Sequence, residues 1–508
     1  MNSDTRITDL RARDAPLEIH GDEFRKLGHQ LVDDIAEFLD GLPRRPVTTG
    51  EPPHAIRKLL GSDSLPLSGS PPDALLRETA KLLFDHSLFN GHPKFWGYIT
   101  SSGAPIGILA DLLAATINPN VGAAILSPVA SEIEAQTIRW IADLIGYPRT
   151  CGGLLVSGGN MANFVCFLTA RRAKVPWDLE SEGASGGAQR LICYVSKETH
   201  AWIEKAAELF GSGAQSVRWI AINSDQQMDV AALEQQIVAD RAENHVPFMV
   251  VGAAGTVSTG AIDHLPEIAA ICKKYDLWFH VDGAYGGPAA VLPDASAELL
   301  GLREADSIAL DPHKWLYSPL EAGCSLVRNP NHLLDAFSHH PVYYNFDGTE
   351  GDPPLNYHEY GLQNSRGFRA LKVWLGLRHV GRKGYVQMIG DDIALAKAMY
   401  GAADAHPELE AVTQHLSITT FRFVPSGLSD DPQARESYLN ALNEELLNRL
   451  QRSGEAFVSN AVVDGKYVLR ACIVNFRTTL SDVEALPEIV ARLGRQLDSE
   501  MRSKALHE

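Results

Sequence analysis

Apolar and polar positions divide the chain into three stretches. In residues 23–39 apolar side chains recur at Phe24, Leu27, Leu31, Ile35 and Phe38, the spacing of one helical face. Leu42-Pro43-Arg44-Arg45-Pro46 ends that pattern, because proline lacks the N–H a helix needs and clashes with the preceding turn. A Ser/Pro/Gly-rich stretch, 62–72, reads as a loop, and a second helix is predicted over 73–85. With little strand signal, residues 1–102 are expected to form a helical arm packed on something else.

From about residue 103 to 385 short apolar runs alternate with helical segments. The runs are 153–156, 191–195, 217–220, 248–251, 277–281, 307–309 and 324–327, with a helix such as 265–274 between two of them. Buried strands alternating with helices predict an α/β domain with a mostly parallel sheet. The Ser/Glu/Gly-rich stretch 180–187 reads as a surface loop. Over 386–508 the pattern predicts a long helix ending near 403, strands at 421–424 and 467–473 and a helix at 482–497, a smaller α+β domain. No repeat of solenoid period is present.

The 508 residues carry 45 Lys and Arg against 63 Asp and Glu, a formal charge of −18. Nucleic-acid binding draws on Lys and Arg displacing counterions, so this balance argues against a polyanion as the main partner. It leaves room for a local pocket that takes one small anion. Hydrophobic residues make up 45% and charged residues 21%, which places the chain among globular proteins. The start, Met-Asn-Ser-Asp-Thr-Arg, lacks the basic and apolar regions of a signal peptide. Asp111 interrupts the apolar stretch 105–115, and no run has the length of a membrane span. The six cysteines are scattered, with no Cys-x-x-Cys pair and no zinc-module spacing. The expectation is a reduced, cytoplasmic, soluble protein without a metal.

Candidate chemistry concentrates at Asp311-Pro312-His313-Lys314-Trp315, just after an apolar run. Lysines usually face solvent. In apolar and aromatic surroundings a lysine amine is pushed toward its neutral, nucleophilic form. Upstream, Trp278-Phe279-His280-Val281-Asp282 is an apolar strand that ends in a carboxylate, followed by Gly283-Ala284-Tyr285-Gly286-Gly287. Ligands of open α/β sheets bind beyond the carboxyl ends of strands. A carboxylate there suits a metal, acid–base work, or the protonated nitrogen of a ring. No cluster at metal spacing accompanies it. An Asp facing a pyridinium together with a Schiff-base Lys is the recurring pyridoxal phosphate arrangement.

A third segment, Leu154-Leu155-Val156 followed by Ser157-Gly158-Gly159-Asn160-Met161-Ala162-Asn163, reads as a strand, a tight turn and a helix start. Glycines let the backbone approach an anion, and the free N–H groups of a helix start point at it. Neither the P-loop nor the dinucleotide fingerprint is present. A fourth segment, Thr199-His200-Ala201-Trp202, lies between a predicted strand and a helix.

Taken together, these residues resemble the group II pyridoxal-phosphate-dependent amino acid decarboxylases, the aromatic-L-amino-acid decarboxylase family. The resemblance runs from His92-Pro93 to Arg477-Thr478-Thr479 and is carried chiefly by Asp-Pro-His-Lys-Trp and His-Val-Asp-x-Ala-Tyr. It implies fold type I, the aspartate-aminotransferase-like α/β fold, with an N-terminal helical arm and a small C-terminal α+β domain. It also implies a homodimer with shared active sites, and the helical arm would embrace the partner.

Residue by residue, the resemblance makes Lys314 the Schiff-base lysine and pairs Asp282 with the ring nitrogen. Ala284 and His200 would lie on opposite ring faces. Gly159 and Asn160 match the phosphate turn, and Thr256, Asp311 and His313 match the cofactor's surroundings. Tyr98, Ser101 and Arg366 match substrate-side positions; a structural ion pair is the alternative for Arg366. Tyr343 falls where the family has its catalytic tyrosine, in the stretch 334–360. Asp311 stands where many members have Asn, Val257 where they have Thr, and Ala123 where they have a bulky aromatic. The implied activity is decarboxylation of an L-amino acid to its amine, of the aromatic type. Acidic or diamino acids as substrates, or oxidation to an aldehyde, are the alternatives. The nearest different class is a scaffold that keeps the fold without the chemistry.

Overall fold

The computed structural model describes residues 15–184, 186–187, 189–339 and 354–505. Its contacts divide the chain into two units: residues up to 89 with 452–454, and residues 90–451 with 455 onward.

The first unit holds helices α1 (Gly21–Gly41), α2 (Pro53–Leu60) and α3 (Pro72–His86). Prolines stand in the first turn of α2 and α3, where the missing N–H has no helical partner to lose. Phe38 of α1 stacks on Phe84 of α3 at 4.4 Å and tilts against Phe89 at 5.3 Å. Otherwise this unit buries little. No residue of α1 is buried, and Phe24, Val32, Leu75 and Leu83 are exposed.

The second unit is built on a sheet of seven strands: β1 (Gly152–Val156), β2 (Leu191–Ser196), β3 (Val217–Ile220), β4 (Val246–Ala253), β5 (Trp278–Asp282), β6 (Ser307–Leu310) and β7 (Gly323–Val327). Their order is β1-β7-β6-β5-β4-β2-β3. Only β7 runs against the others, paired antiparallel with both β1 and β6. Every residue of β1, β2, β6 and β7 is buried. Strands covered on both faces read as unbroken apolar runs, which is why the sequence pattern locates all seven. Helices α4 (Pro105–Ile117), α5 (Pro128–Leu144), α6 (Gly159–Lys174), α7 (Trp202–Leu209), α8 (Val230–Ala242), α9 (Leu265–Lys274) and α10 (Asn331–Phe337) belong to the same unit.

Helix α11 (Ala370–Asp404) follows, broken at Gly381, whose φ of 65° and ψ of 169° are not helical. Its far half packs on a second sheet, of order β10-β11-β9-β8 and antiparallel throughout. These strands are β8 (Leu409–His415), β9 (Ile418–Phe423), β10 (Ser459–Val463) and β11 (Lys466–Cys472), with helices α12 (Pro432–Ser453) and α13 (Leu480–Ala505). The architecture is the fold type I α/β fold. Among the described residues no helix is long and apolar enough to cross a membrane.

Candidate functional site

The parallel strands β4, β5 and β6, together with β1 and β2, end on one side of the large sheet. A cavity of about 110 Å³ opens there. Its walls come from the residues just past those ends: Gly159 and Asn160 after β1, His200 after β2, Thr256 after β4, Asp282 and Ala284 on β5, Asp311 and Lys314 after β6. Asn163, in the first turns of α6, and Asp282, at the end of β5, are thus brought together across 119 residues of sequence.

Lys314 Nζ lies 3.0 Å from Asp311 Oδ2. Asp311 is 2% exposed, and its Oδ1 accepts no hydrogen bond. The same carboxylate abuts the start of α6: a Cβ on Gly159 would meet Asp311 Oδ2 at 2.6 Å. Only glycine fits there. Gly158, at φ 105°, turns the chain into the helix, a conformation L side chains rarely adopt. His313 holds its Nδ1 2.7 Å from the Ala322 carbonyl. The same nitrogen lies 3.2 Å from the Ala322 N–H, so both backbone groups of Ala322 hold the ring in place. Burial of the ring lowers its pKa and keeps it neutral.

Asp282 is the most elaborately held group. Its Oδ2 accepts from Trp202 Nε1 at 2.8 Å and from Asn163 Nδ2 at 3.4 Å; its Oδ1 accepts from the Ala284 N–H at 3.2 Å. Behind it runs a directed chain. Trp278 Nε1 donates to Ser307 Oγ at 2.8 Å, and Ser307 Oγ meets His280 Nδ1 at 2.8 Å. His280 Nε2 meets Asn163 Oδ1 at 2.7 Å. The Asn163 amide nitrogen donates to the Gly159 carbonyl at 2.9 Å as well as to Asp282, so its oxygen is the acceptor and His280 Nε2 is the donor. Burial pushes His280 down to about 4, so it is neutral, with one proton and one lone pair as this chain requires. Every link points a donor toward the Asp282 carboxylate, which the chain thereby fixes in place.

His200 accepts from the Trp202 N–H through Nδ1 at 3.2 Å. Burial lowers its pKa, against the pull of Asp282 and with the push of Lys314. Thr256 Oγ1 shares a hydrogen bond with Thr259 Oγ1 at 3.1 Å.

Not all candidate residues meet at the cavity. Ser101 is buried and donates to the His313 carbonyl at 2.7 Å, so its hydroxyl is engaged in holding the lysine loop. Tyr98, at φ 53°, has an exposed side chain, and its carbonyl accepts from Arg470 at 2.7 Å. Arg366 is away from the cavity lining. It is buried with Glu134, donating to Glu134 Oε1 at 2.5 Å, to the Val121 carbonyl at 2.8 Å and to the Leu155 carbonyl at 2.6 Å. That is the ion-pair alternative considered for it. Tyr343 lies outside the described residues. The chain read from sequence omits Asn163, His280 and Ser307 as a unit. Asn163 follows Gly159 by one helical turn, which is the local signal for its direction; the others need the sheet to bring them together.

The pocket has the parts that pyridoxal phosphate calls for: an amine, a fixed carboxylate, a histidine and a glycine turn at a helix start. Lys314, Asp282, His200, Gly159 and Asn160 would hold it. Comparisons with known proteins agree. A family profile described as the pyridoxal-dependent decarboxylase conserved domain matches residues 53–424. The chain is 35% identical over 468 residues to an aromatic-L-amino-acid decarboxylase of Bacillus atrophaeus, covering 92% of this chain and 94% of that protein. It is 29% identical to tyrosine decarboxylase 3 of Petroselinum crispum, covering 91% and 90%. Among solved structures, Oryza sativa TDC with PLP and tryptamine superposes with a TM-score of 0.87 at 26% identity, covering 96% of this chain and 100% of that one.

Proposed function

Because the chain belongs to the pyridoxal-dependent decarboxylase family, and so decarboxylates an amino acid with pyridoxal phosphate, we propose that its substrate is an aromatic L-amino acid and that Lys314 and Asp282 carry the chemistry. The observation that supports this most is the placement of the Lys314 amine and the hydrogen-bonded Asp282 carboxylate in one cavity, past the ends of adjacent strands. The bound cofactor supplies an electron sink for the pair left at Cα when CO2 departs. The chain's own residues do the rest. Lys314 would hold the cofactor through its amine before substrate binds. Asp282, charged and fixed by Trp202 and Ala284, keeps a proton on the ring nitrogen. His200 and Ala284 hold the ring plane. The backbone at Gly159 and Asn160 receives the phosphate, and Thr256, Asp311 and His313 complete the seat. Tyr343 delivers a proton to the substrate's Cα. Ser101 acts by steadying the carbonyl of His313, one residue before Lys314.

The names of the relatives support the aromatic class. A homodimer is supported by α4, where Leu109, Leu112, Leu113 and Ile117 form an exposed apolar stripe, joined by exposed Ile125, Leu126 and Val129. Apolar patches of this kind mark interfaces. The deciding experiment incubates the holoenzyme with each common amino acid and with 2,4-diaminobutyrate, and reads CO2 release, amine, aldehyde and peroxide. Amine from tyrosine, tryptophan or phenylalanine is the expected product. Release only from glutamate, aspartate or 2,4-diaminobutyrate overturns the substrate class, and aldehyde with peroxide overturns the simple decarboxylation.

A further inference from the structure

Three consecutive residues beyond Lys314 are held by a single face of α11. Trp315 Nε1 donates to Asp392 Oδ2 at 2.8 Å, and Tyr317 Oη donates to the same oxygen at 2.7 Å. Between them, the Leu316 carbonyl accepts from Tyr385 Oη at 3.3 Å. Tyr385, Ile389 and Asp392 are all buried and follow one another at helical spacing. The Asp392 carboxylate also accepts the backbone N–H of Asn475, just past β11. Asp392 is therefore where the lysine loop, the long helix and the small sheet meet.

The loop needs such a hold. Tyr317 sits at φ 54°, a left-handed conformation that a bulky residue keeps only when its surroundings impose it. Its N–H donates to the Lys314 carbonyl at 3.1 Å, so its conformation sets the turn that carries the lysine. Trp315 in turn stacks on Tyr285, with ring centroids 4.9 Å apart and planes at 16°, and Tyr285 lines the cavity. Two routes thus run from Asp392 to the site, one through Tyr317 to the lysine turn and one through Trp315 to the cavity wall.

We propose that Asp392 is a positioning residue for the reaction: its carboxylate fixes Trp315 and Tyr317 and thereby sets where Lys314 stands against the cofactor. This rests on Lys314 being the cofactor lysine. The test compares wild-type holoenzyme with Asp392→Leu, Asp392→Asn and Tyr317→Phe. Measurements are kcat, KM, thermal midpoint and the position of the cofactor's visible absorption and circular dichroism bands. Asp392→Leu is expected to lower kcat about ten- to a hundred-fold, the scale of a small misplacement of a reacting group. KM should stay within about two-fold, because binding of the substrate is untouched. The visible bands should shift. Asp392→Asn keeps an oxygen for both donors and should restore most of the loss; Tyr317→Phe, which removes one contact, should fall between. If the leucine variant does not fold, Tyr317→Phe carries the test. Normal kcat and unshifted bands in Tyr317→Phe and in any folded leucine variant, with only the thermal midpoint lowered, overturn the positioning role and leave Lys314's role standing. A wild-type protein that takes up no cofactor overturns both.

Discussion

Arg366 brings its guanidinium into a space closed to water, where Glu134 is the counter-charge and two backbone carbonyls take further N–H groups. Glu134 in turn accepts the Leu155 N–H at 2.8 Å, so the pair anchors β1. Removing one partner leaves the other charge buried and uncompensated. Arg366→Ala is expected to destabilise the fold by about 3–5 kcal/mol, read as a lower urea midpoint. Lys at this position lacks the planar fork and should recover little. At the cavity, Lys314→Ala and Asp282→Ala are expected to lose nearly all turnover, and Lys314→Ala alone should release its cofactor on dialysis. Normal turnover in either variant contradicts the roles given to them. Lys314, Asp282 and Gly159 were legible in the sequence because each sits in a short segment whose neighbours reveal it: a strand end, a glycine turn, a helix start. The partners of Arg366 were not, since Glu134 lies 232 residues away and no local pattern joins them. Asp392 was hidden for the same reason, 77 residues from Trp315 in an ordinary stretch of helix.

Elements carry two buried ionisable groups whose pH effects oppose each other. His280 on β5 is held neutral with its pKa near 4, while in the unfolded chain it takes a proton near 6.5. The folded pKa is the lower one, so its contribution is present above about 6.5 and is lost as pH falls toward 4. Asp392 on α11 is pushed by burial up to about 7 from 3.8, against the hydrogen bonds of Tyr317, Trp315 and the Asn475 N–H. Here the folded pKa is the higher one, so its contribution is complete below about 3.8 and is lost as pH rises through 7. In urea melts across pH 4 to 7, His280→Gln should remove a slope that favours high pH, and Asp392→Asn one that favours low pH. Identical slopes in wild type and variants would contradict both assignments. The same scale explains what the pattern of apolar positions missed. β8 and β10 are edge strands of the small sheet. β10 alternates buried and exposed, and β8 is half-buried along its whole length, so neither forms an apolar run. The start of α11 was lost among Gly376, Gly381 and Gly384, which weaken a helical signal.

For the whole molecule, α4 is the element to watch. It buries Gly107 and Ala110 against its own unit and leaves Ile117 73% exposed. If that stripe is the dimer face, Leu113→Glu combined with Ile117→Lys should turn dimers into monomers in sedimentation velocity. A wild-type monomer, or a charged variant that still pairs, would contradict it. Charge and length bounded the class of protein from sequence alone. They could not show which apolar surface is left uncovered, because that depends on how distant segments fold over one another.

The break at Gly381 has a consequence for how this chain could be divided. The first half of α11 packs with α4 and α5, and the second half packs with the small sheet and holds the lysine loop. At Gly381 the run of helical hydrogen bonds is already interrupted, so cutting the chain there severs one peptide bond and no helical ladder. Two fragments divided at that point and coexpressed would meet across an interface that includes both sides of the Asp392 junction. The protein is thus a natural candidate for split-enzyme complementation, in which the return of cofactor colour reports that two pieces have found each other.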